Sequence, residues 1–445
     1  MGAVSATCFR LAVLRRLFRP WPGFRQTLTK HSWKRLGKAR LDPAFLIAHS
    51  CHVNACRQRQ RYFRVRCPQR RTKLNPFRIA LLVGAIAVMG AMVAAPGVRA
   101  QTAVSPYNLT AFPGTPPAGA TQPDDLAVSA DGKHLWVGYG NGVDTTGKGG
   151  PSTLVEYDIA SGAVLKSISI PGHLDGLKIN PATGDAWATQ NEDGNPTLAV
   201  IDHESGTFKI YRFDPTLITG GMDDLVFVPR RDSRHDSDSS VDVYIVTSSQ
   251  VDTTTPVIVR ISGPLRATNT QLKSVLPGAP PSVWNVVSNQ AETTAMIGDP
   301  DSMTINSAGE LVLYNRSDDS LYIVRNPRAQ HPVLRVPLTL GGNAVEVNDT
   351  IFTWSETTRL SSTAGTIFIT DTSANKIYML TKPYFPSNEV YTAANVANVV
   401  GLLDLNSGVV TPIATGFRGV HGLAFSPTRV ALAPAKDHSE EPDDE

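Results

Sequence analysis

The chain has 445 residues, with 42 Lys and Arg against 39 Asp and Glu. The balance conceals a division: 20 basic residues but a single acidic one, Asp42, fall in positions 1–100, so 101–445 holds 22 basic and 38 acidic residues and a net charge near −16. Such an acidic surface argues against a nucleic-acid partner, because binding there needs basic side chains to replace phosphate counterions.

Residues 1–69 form a basic leader rich in Arg, Trp, His and Cys, without clean periodicity. A true translation start near residues 65–75 would leave this stretch unmade; an organellar transit peptide is the second option. All four cysteines (Cys8, Cys51, Cys56 and Cys67) lie here, so the remainder has neither disulfides nor thiol chemistry. Residues 70–100 read as a secretory signal. Arg70, Arg71, Lys73 and Arg78 supply the positive segment, Ile79 to Ala95 is apolar, Pro96-Gly97 breaks it, and Val98-Arg99-Ala100 places small residues at −3 and −1. Cleavage before Gln101 is expected, with a periplasmic or secreted product and no membrane span afterwards. The alternative is an uncleaved anchor of about minimal spanning length. Arg70-Arg71 hints at twin-arginine export, but Thr72-Lys73-Leu74 follows where that signal prefers an aromatic residue and a Leu.

From 101 to 435 a phrase recurs: a turn, an acidic or polar residue, a small or polar residue, then a short apolar run. Its instances are Pro123-Asp124-Asp125-Leu126, Leu174-Asp175-Gly176-Leu177, Met222-Asp223-Asp224-Leu225, Pro300-Asp301-Ser302-Met303, Val347-Asn348-Asp349-Thr350 and Val420-His421-Gly422-Leu423. The second positions are spaced by 51, 48, 78, 47 and 73 residues. One four-stranded propeller blade needs about 40–50 residues, so the two long intervals read as a blade plus an insertion. Within the first unit, Leu126–Ser129, His134–Tyr139, Leu154–Ile159 and Ala163–Ile170 read as strands. Turns ending in Gly separate alternating runs, as again at Ile201–Gly206 and Leu403–Gly408. No segment sustains a 3.6-residue period, so helix should be scarce.

The expected fold is all-β: a six-bladed β-propeller, or a seven-bladed one if residues 263–299 hide an irregular blade. The last unit is short, and a strand from Pro106–Phe112 is expected to complete it, leaving fewer exposed edges. Two inserts are expected, a charged loop at Arg230–Ser240 and a longer one at Pro383–Val399. Asp236 and Asp238 suggest a calcium loop, but its Gly and closing Glu are missing, and a solvated loop is favoured. Residues 436–445 read as an acidic disordered tail.

Familiar catalytic motifs fail. Gly142–Lys148 spells most of a phosphate loop, but Gly149 follows where Ser or Thr belongs, and a strand follows where a helix is needed. There is no G-x-S-x-G elbow and no H-E-x-x-H helix, and the seven histidines after residue 100 are scattered. A propeller would, however, gather the second phrase positions around its channel mouth: Asp124, Asp175, Asp223, Asp301, Asn348 and His421. Two carboxylates ~6 Å apart at an effective dielectric of ~20 repel by roughly 3 kcal/mol. Such a ring requires a cation, shared protons or backbone hydrogen bonds. Calcium or another divalent cation on Asp124, Asp175, Asp223, Asp301 and Asn348 is one reading; turn capping by each Asp and Asn is the other. His421 is the single catalytic candidate, against a plain channel-lining role. No organic cofactor is expected.

The phrases resemble those of NHL-type six-bladed propellers over 123–430. Leu174-Asp175-Gly176-Leu177 and Pro300-Asp301-Ser302-Met303 are similar to strand starts of the gluconolactonase and senescence-marker-protein family. That resemblance implies a divalent metal polarising an ester or lactone carbonyl, with Asp124, Asp175, Asp301 and Asn348 as ligands. The family has a Glu at its first ligand position where this chain has Asp. Val420-His421-Gly422-Leu423 resembles the strand start of streptogramin-lyase-like propellers. Two functions stay open: an exported monomeric module binding a small molecule, polymer or protein, and a metal-dependent lactone or ester hydrolase or lyase. A quinone-type dehydrogenase lacks its tryptophan docking repeat and vicinal cysteines.

Overall fold

The computed structural model describes residues 100–428 except 219, 231–240, 249–251, 294–295, 328–332 and 354–361. The charged loop expected at Arg230–Ser240 lies, beyond Arg230 itself, outside the described residues, as does the 436–445 tail. The described residues are almost all strand and turn, with 3₁₀ turns at Arg316–Asp318 and Thr372–Ala374. No described helix is long and apolar enough to cross a membrane.

The strands build six sheets, five of four to six strands and one of seven. Their innermost strands are, in order, Pro123–Val128, Leu174–Ile179, Met222–Pro229, Pro300–Ile305, Asp349–Phe352 and Val420–Pro427. Each packs beside the next, and Val420–Pro427 packs beside Pro123–Val128, so they close a circle around a channel. Alternation explains the packing. In His134–Tyr139, Leu135 and Val137 face the sixth sheet while Trp136 faces the second. A strand apolar on both faces fills two intersheet gaps at once. Every gap between neighbouring sheets holds its own buried apolar cluster. The class is therefore an all-β propeller.

The hairpin turns match their sequence signals. Asp158 accepts from the Ser161 N–H at 2.8 Å and Asp202 from the Ser205 N–H at 2.7 Å. Gly162, Gly206 and Gly408 end three such turns with φ of 72°, 71° and 68°, a left-handed backbone that glycine adopts without strain.

Two expectations need correction. Pro383–Val399 is not an insert: its first residues end the strand Lys376–Pro386 and Val390–Ala394 is a strand of the next sheet. The physical reason is an interleaved path. After Asp349–Phe352 of the fifth sheet, the chain builds Ser362–Asp371 and Lys376–Pro386, which belong to the sixth. It then returns to the fifth for Val390–Ala394, Val399–Asp404 and Val409–Thr415. Residues 263–299 form no additional sheet among the described residues. Leu272–Pro277 edges the third sheet, and Val283–Asn285 adds in parallel to Val333–Pro337 of the fourth. At the seam, Asn108–Ala111 pairs with Lys376–Pro386 in the sheet whose inner strand is Val420–Pro427.

Five of the six phrases are local irregularities of the inner strand; the fifth phrase, at Asp349, pairs in regular register, and the sixth skips between Val420 and Leu423. Pairing skips between Pro123 and Leu126, Leu174 and Leu177, Met222 and Leu225, and Pro300 and Met303, so two residues face one on the partner strand. Such a bulge re-aims side chains. It also brings neighbouring inner strands close. A Cβ on Gly176 would stand 2.6 Å from the Asp223 carbonyl oxygen and 2.6 Å from the Asp224 Cα. Both are backbone atoms, so Gly176→Ala should cost about 2–3 kcal/mol in urea unfolding by overpacking. An unchanged midpoint would show that the strands part freely there.

Candidate functional site

The bulges send second-position side chains to the channel mouth and third-position side chains deeper. Residues following each sheet's second strand return to the same mouth, because that strand runs antiparallel to the first. Glu192 stands two residues past Ala186–Gln190, Arg316 directly follows Leu311–Asn315, and Asn395 directly follows Val390–Ala394. This is the signal that sequence reading of the phrases alone passes over. Asn191 at φ 66° turns the chain toward the mouth. Gly221 admits the contact, since a Cβ there would collide with the Glu192 carbonyl.

The mouth divides into two halves. On one side Asp124, His173 and Asp175 bring ligand atoms within 4.8 Å of one another, as do Asp175, Glu192 and Asp223. Asp175 joins the two groups. Asp124 is 8% exposed and Asp223 only 3%. One carboxylate oxygen of Asp223, Oδ2, is buried without a hydrogen-bond partner. Burial, then the charges of Glu192 and Asp223, pushes the Asp175 carboxyl well above its usual range. Burial, then Asp301 and Glu192, does the same to Asp223, and burial and Asp124 raise Glu192. Burial also opposes ionisation of Asp124, but His421 more than offsets it and holds this carboxyl low. His173 donates its Nδ1–H to the Val143 carbonyl at 3.0 Å, and its Nε2 stands 3.9 Å from Asp124. A carbonyl that fixes Nδ1 as the donor orients the ring as a metal-ligating imidazole would need to be oriented.

On the other side Arg316 stands among the expected ligands, and there too one buried carboxylate oxygen, Oδ2 of Asp301, has no hydrogen-bond partner. Asp301 lies 3.2 Å from the Arg316 Nε. Its pKa still rises to about 7, because burial outweighs that guanidinium. Asn348 accepts from Asn395 at 2.6 Å and from Arg316 at 3.3 Å, and its amide nitrogen meets His421 Nε2. His421 Nδ1 contacts Asp124 at 2.6 Å. Burial opposes protonation of His421, but the Asp124 charge lifts its pKa to about 9. Asp124 and Asp175 thus stand with His173, and Asp175 and Asp223 with Glu192. Asp301 and Asn348 face Arg316 instead.

Below the mouth, the third positions alternate Asp125, Gly176, Asp224, Ser302, Asp349 and Gly422. The three carboxylates bridge to the following sheet: Asp125 accepts the Leu177 N–H at 3.0 Å, Asp224 the Met303 N–H at 2.9 Å, and Asp349 the Leu423 N–H at 2.7 Å. Lys178 plugs the channel between them, its Nζ 2.8 Å from Asp224 and 3.3 Å from Asp125. Burial, relieved in part by Lys178, puts the Asp125 pKa at about 8.

Fold and mouth together define a propeller whose channel opens on clustered carboxylates. No protein-family model matches the chain, and no curated protein matches it. Among solved structures it is similar to a streptogramin B lyase at 13% identity, covering 72% of this chain and 95% of that one with a TM-score of 0.39. A virginiamycin B lyase from Staphylococcus aureus is 11% identical, with 74% and 96% covered and a TM-score of 0.38. Hydrazine synthase of Kuenenia stuttgartiensis is 12% identical, with 64% and 78% covered and a TM-score of 0.36. Identities this low say nothing of activity, and the propeller class rests on the sheets themselves.

Proposed function

We propose that the six sheets are six blades of an exported, NHL-like propeller that binds a divalent cation, calcium first, at its channel mouth. The loaded mouth and the surrounding face then bind a small molecule, a polymer or a partner protein. The observation carrying this reading is the Asp175, Glu192 and Asp223 triad, whose oxygens converge within 4.8 Å. None of the three has an ion-pair partner among the described residues, and their leading electrostatic neighbours are other acids. An all-oxygen set suits a hard cation. Asp124 and His173 border the same position, while Asp301 and Asn348 serve as outer polar groups through Arg316. Export rests on the signal-like residues 70–100.

The test is elemental analysis of the purified protein with melting curves before and after chelation. About one equivalent of calcium or a similar ion is expected, with a lower melting temperature in chelator and recovery on adding calcium. No metal and unchanged melting would refute the reading.

A hydrolase or lyase is the second reading, and the contact of His421 with Asp124 beside the triad favours it. The Asp124 charge, by raising the His421 pKa to about 9, favours a proton donor over a base, and Nε2 would have to turn from the Asn348 amide nitrogen to donate. A bound cation would polarise a carbonyl oxygen. Chelator-sensitive turnover of lactones or aryl esters would select this reading; metal binding without turnover selects the binding module.

A further inference from the structure

Beyond the Lys178 plug the channel opens again toward the opposite face, into a cavity of about 270 Å³. All six inner strands line it, with partly exposed apolar side chains such as Val128, Ile179, Ile305 and Phe425 beside polar groups that include Thr304 and Thr350. Its polar floor is Lys178 and Asp349. A concave site with apolar walls and a few convergent polar groups is the general form of a small-molecule site, and this one falls just below the usual ~300–1,000 Å³ range.

Three carboxyl groups, Asp125, Asp224 and Asp349, surround a single ammonium, and Asp125, with a pKa of about 8, is largely protonated at neutral pH, so that Asp224 and Asp349 share Lys178. Lys178 forms ion pairs with Asp224 and Asp125. Among the described residues Asp349 accepts two N–H groups, the backbone ones of Thr350 and Leu423, each at 2.7 Å. A carboxylate offers about four acceptor positions, so Asp349 retains capacity for a further donor. It is 6% exposed, and a donor entering through the cavity comes within its reach. The cavity walls accept an apolar body and its floor accepts a second cation.

The geometry points to a second ligand site at this end of the channel, for a small primary ammonium carried on an apolar body, its nitrogen against Asp349. The site is separate from the cation position at the mouth, and the Lys178 layer divides the two.

Calorimetric titration of the purified protein with benzylammonium, benzyl alcohol and benzoate tests this directly. Saturable binding of benzylammonium with a Kd of roughly 1 mM or tighter is expected. Benzyl alcohol should bind at least about tenfold more weakly, and benzoate should not bind. Thr304 stands at the same phrase position as Lys178 and lines the cavity; Thr304→Trp should fill it and abolish binding, and Asp349→Asn should weaken binding about tenfold or more. Asp223→Asn, at the mouth, should leave the benzylammonium affinity unchanged. Equal binding of the alcohol, tighter binding of benzoate, or no saturable binding of the amine would overturn the proposal. So would a loss on Asp223→Asn with none on Thr304→Trp, which would put the ammonium at the mouth.

Discussion

Asparagine in place of Asp223 should stabilise the chelated protein and at the same time abolish its response to calcium. The two effects have opposite signs because one carboxylate plays two parts. Without a cation, Asp223 is a buried charge with an unsatisfied oxygen among other acids. Two ionised carboxylates ~5 Å apart at an effective dielectric of ~20 repel by roughly 3 kcal/mol, and partial protonation relieves part of that. A neutral side chain of the same shape removes the remainder, a gain of about 1–2 kcal/mol. With a cation present, the same substitution removes a ligand. The wild-type protein should gain about 2.7 kcal/mol at calcium a hundredfold above Kd, and the variant almost nothing. Melting curves of both proteins in chelator and in calcium measure all four quantities. A variant less stable in chelator, or one that keeps the calcium shift, would mean that Asp223 is only a turn cap. The pH dependence follows from the same groups. Asp175, Asp223 and Asp301 have folded pKa values above their unfolded ones, Asp301 near 7. The folded state then binds more protons, so stability is greatest below about pH 4 for these groups and is lost as pH rises toward 7. Calcium should flatten that loss.

Lys178→Met should be the most damaging single substitution in the channel. It leaves Asp224 and Asp125 without the ammonium that neutralises them at 2.8 and 3.3 Å. Breaking a buried ion pair by removing one partner typically costs about 3–5 kcal/mol. The penalty should shrink in acid, where protons replace the ammonium. With the Asp125 pKa already near 8 in the intact protein, the difference between the two proteins should grow from pH 5 to pH 9. Adding Asp224→Asn to Lys178→Met should recover much of the loss, because the charge to be neutralised has gone. Urea unfolding at both pH values decides it. A penalty independent of pH, or no recovery in the double variant, would assign Lys178 a packing role instead.

The strand grammar and the mouth were legible because both are written in one recurring phrase. Asp124, Asp175 and Asp223 could be placed together from spacing alone, since equivalent strand starts must meet around a common axis. The roles of the third positions were not legible. Asp125, Asp224 and Asp349 read as turn residues until the N–H donors on the next sheet are known, and a donor 52 or 79 residues away leaves no local pattern. Glu192 and Arg316 are absent from the phrase and reach the mouth only through the return of the second strand. Lys376–Pro386 carries a plain strand pattern, but pattern selects strand and not partner. Long spacing made its last residues, from Pro383, and Val390–Ala394 read as an insertion, when the former end a strand of the sixth sheet and the latter is a strand of the fifth.

That interleaving gives the circle a lock. In a simple repeat array each unit closes on its own and stability spreads from neighbour to neighbour. Here the fifth sheet is left open after Thr339–Leu340, Asn343–Ala344 and Asp349–Phe352, while two strands of the sixth are laid down, and neither sheet is finished until Val409–Thr415 and Val420–Pro427 arrive. The outer edge of the sixth sheet waits on Asn108–Ala111 from the other end of the described chain. The last third of the ring is therefore one cooperative unit rather than two. Neither of its sheets can be peeled away, swapped or trimmed without opening the other, and the carboxylates at the mouth hold their positions only while the seam is shut.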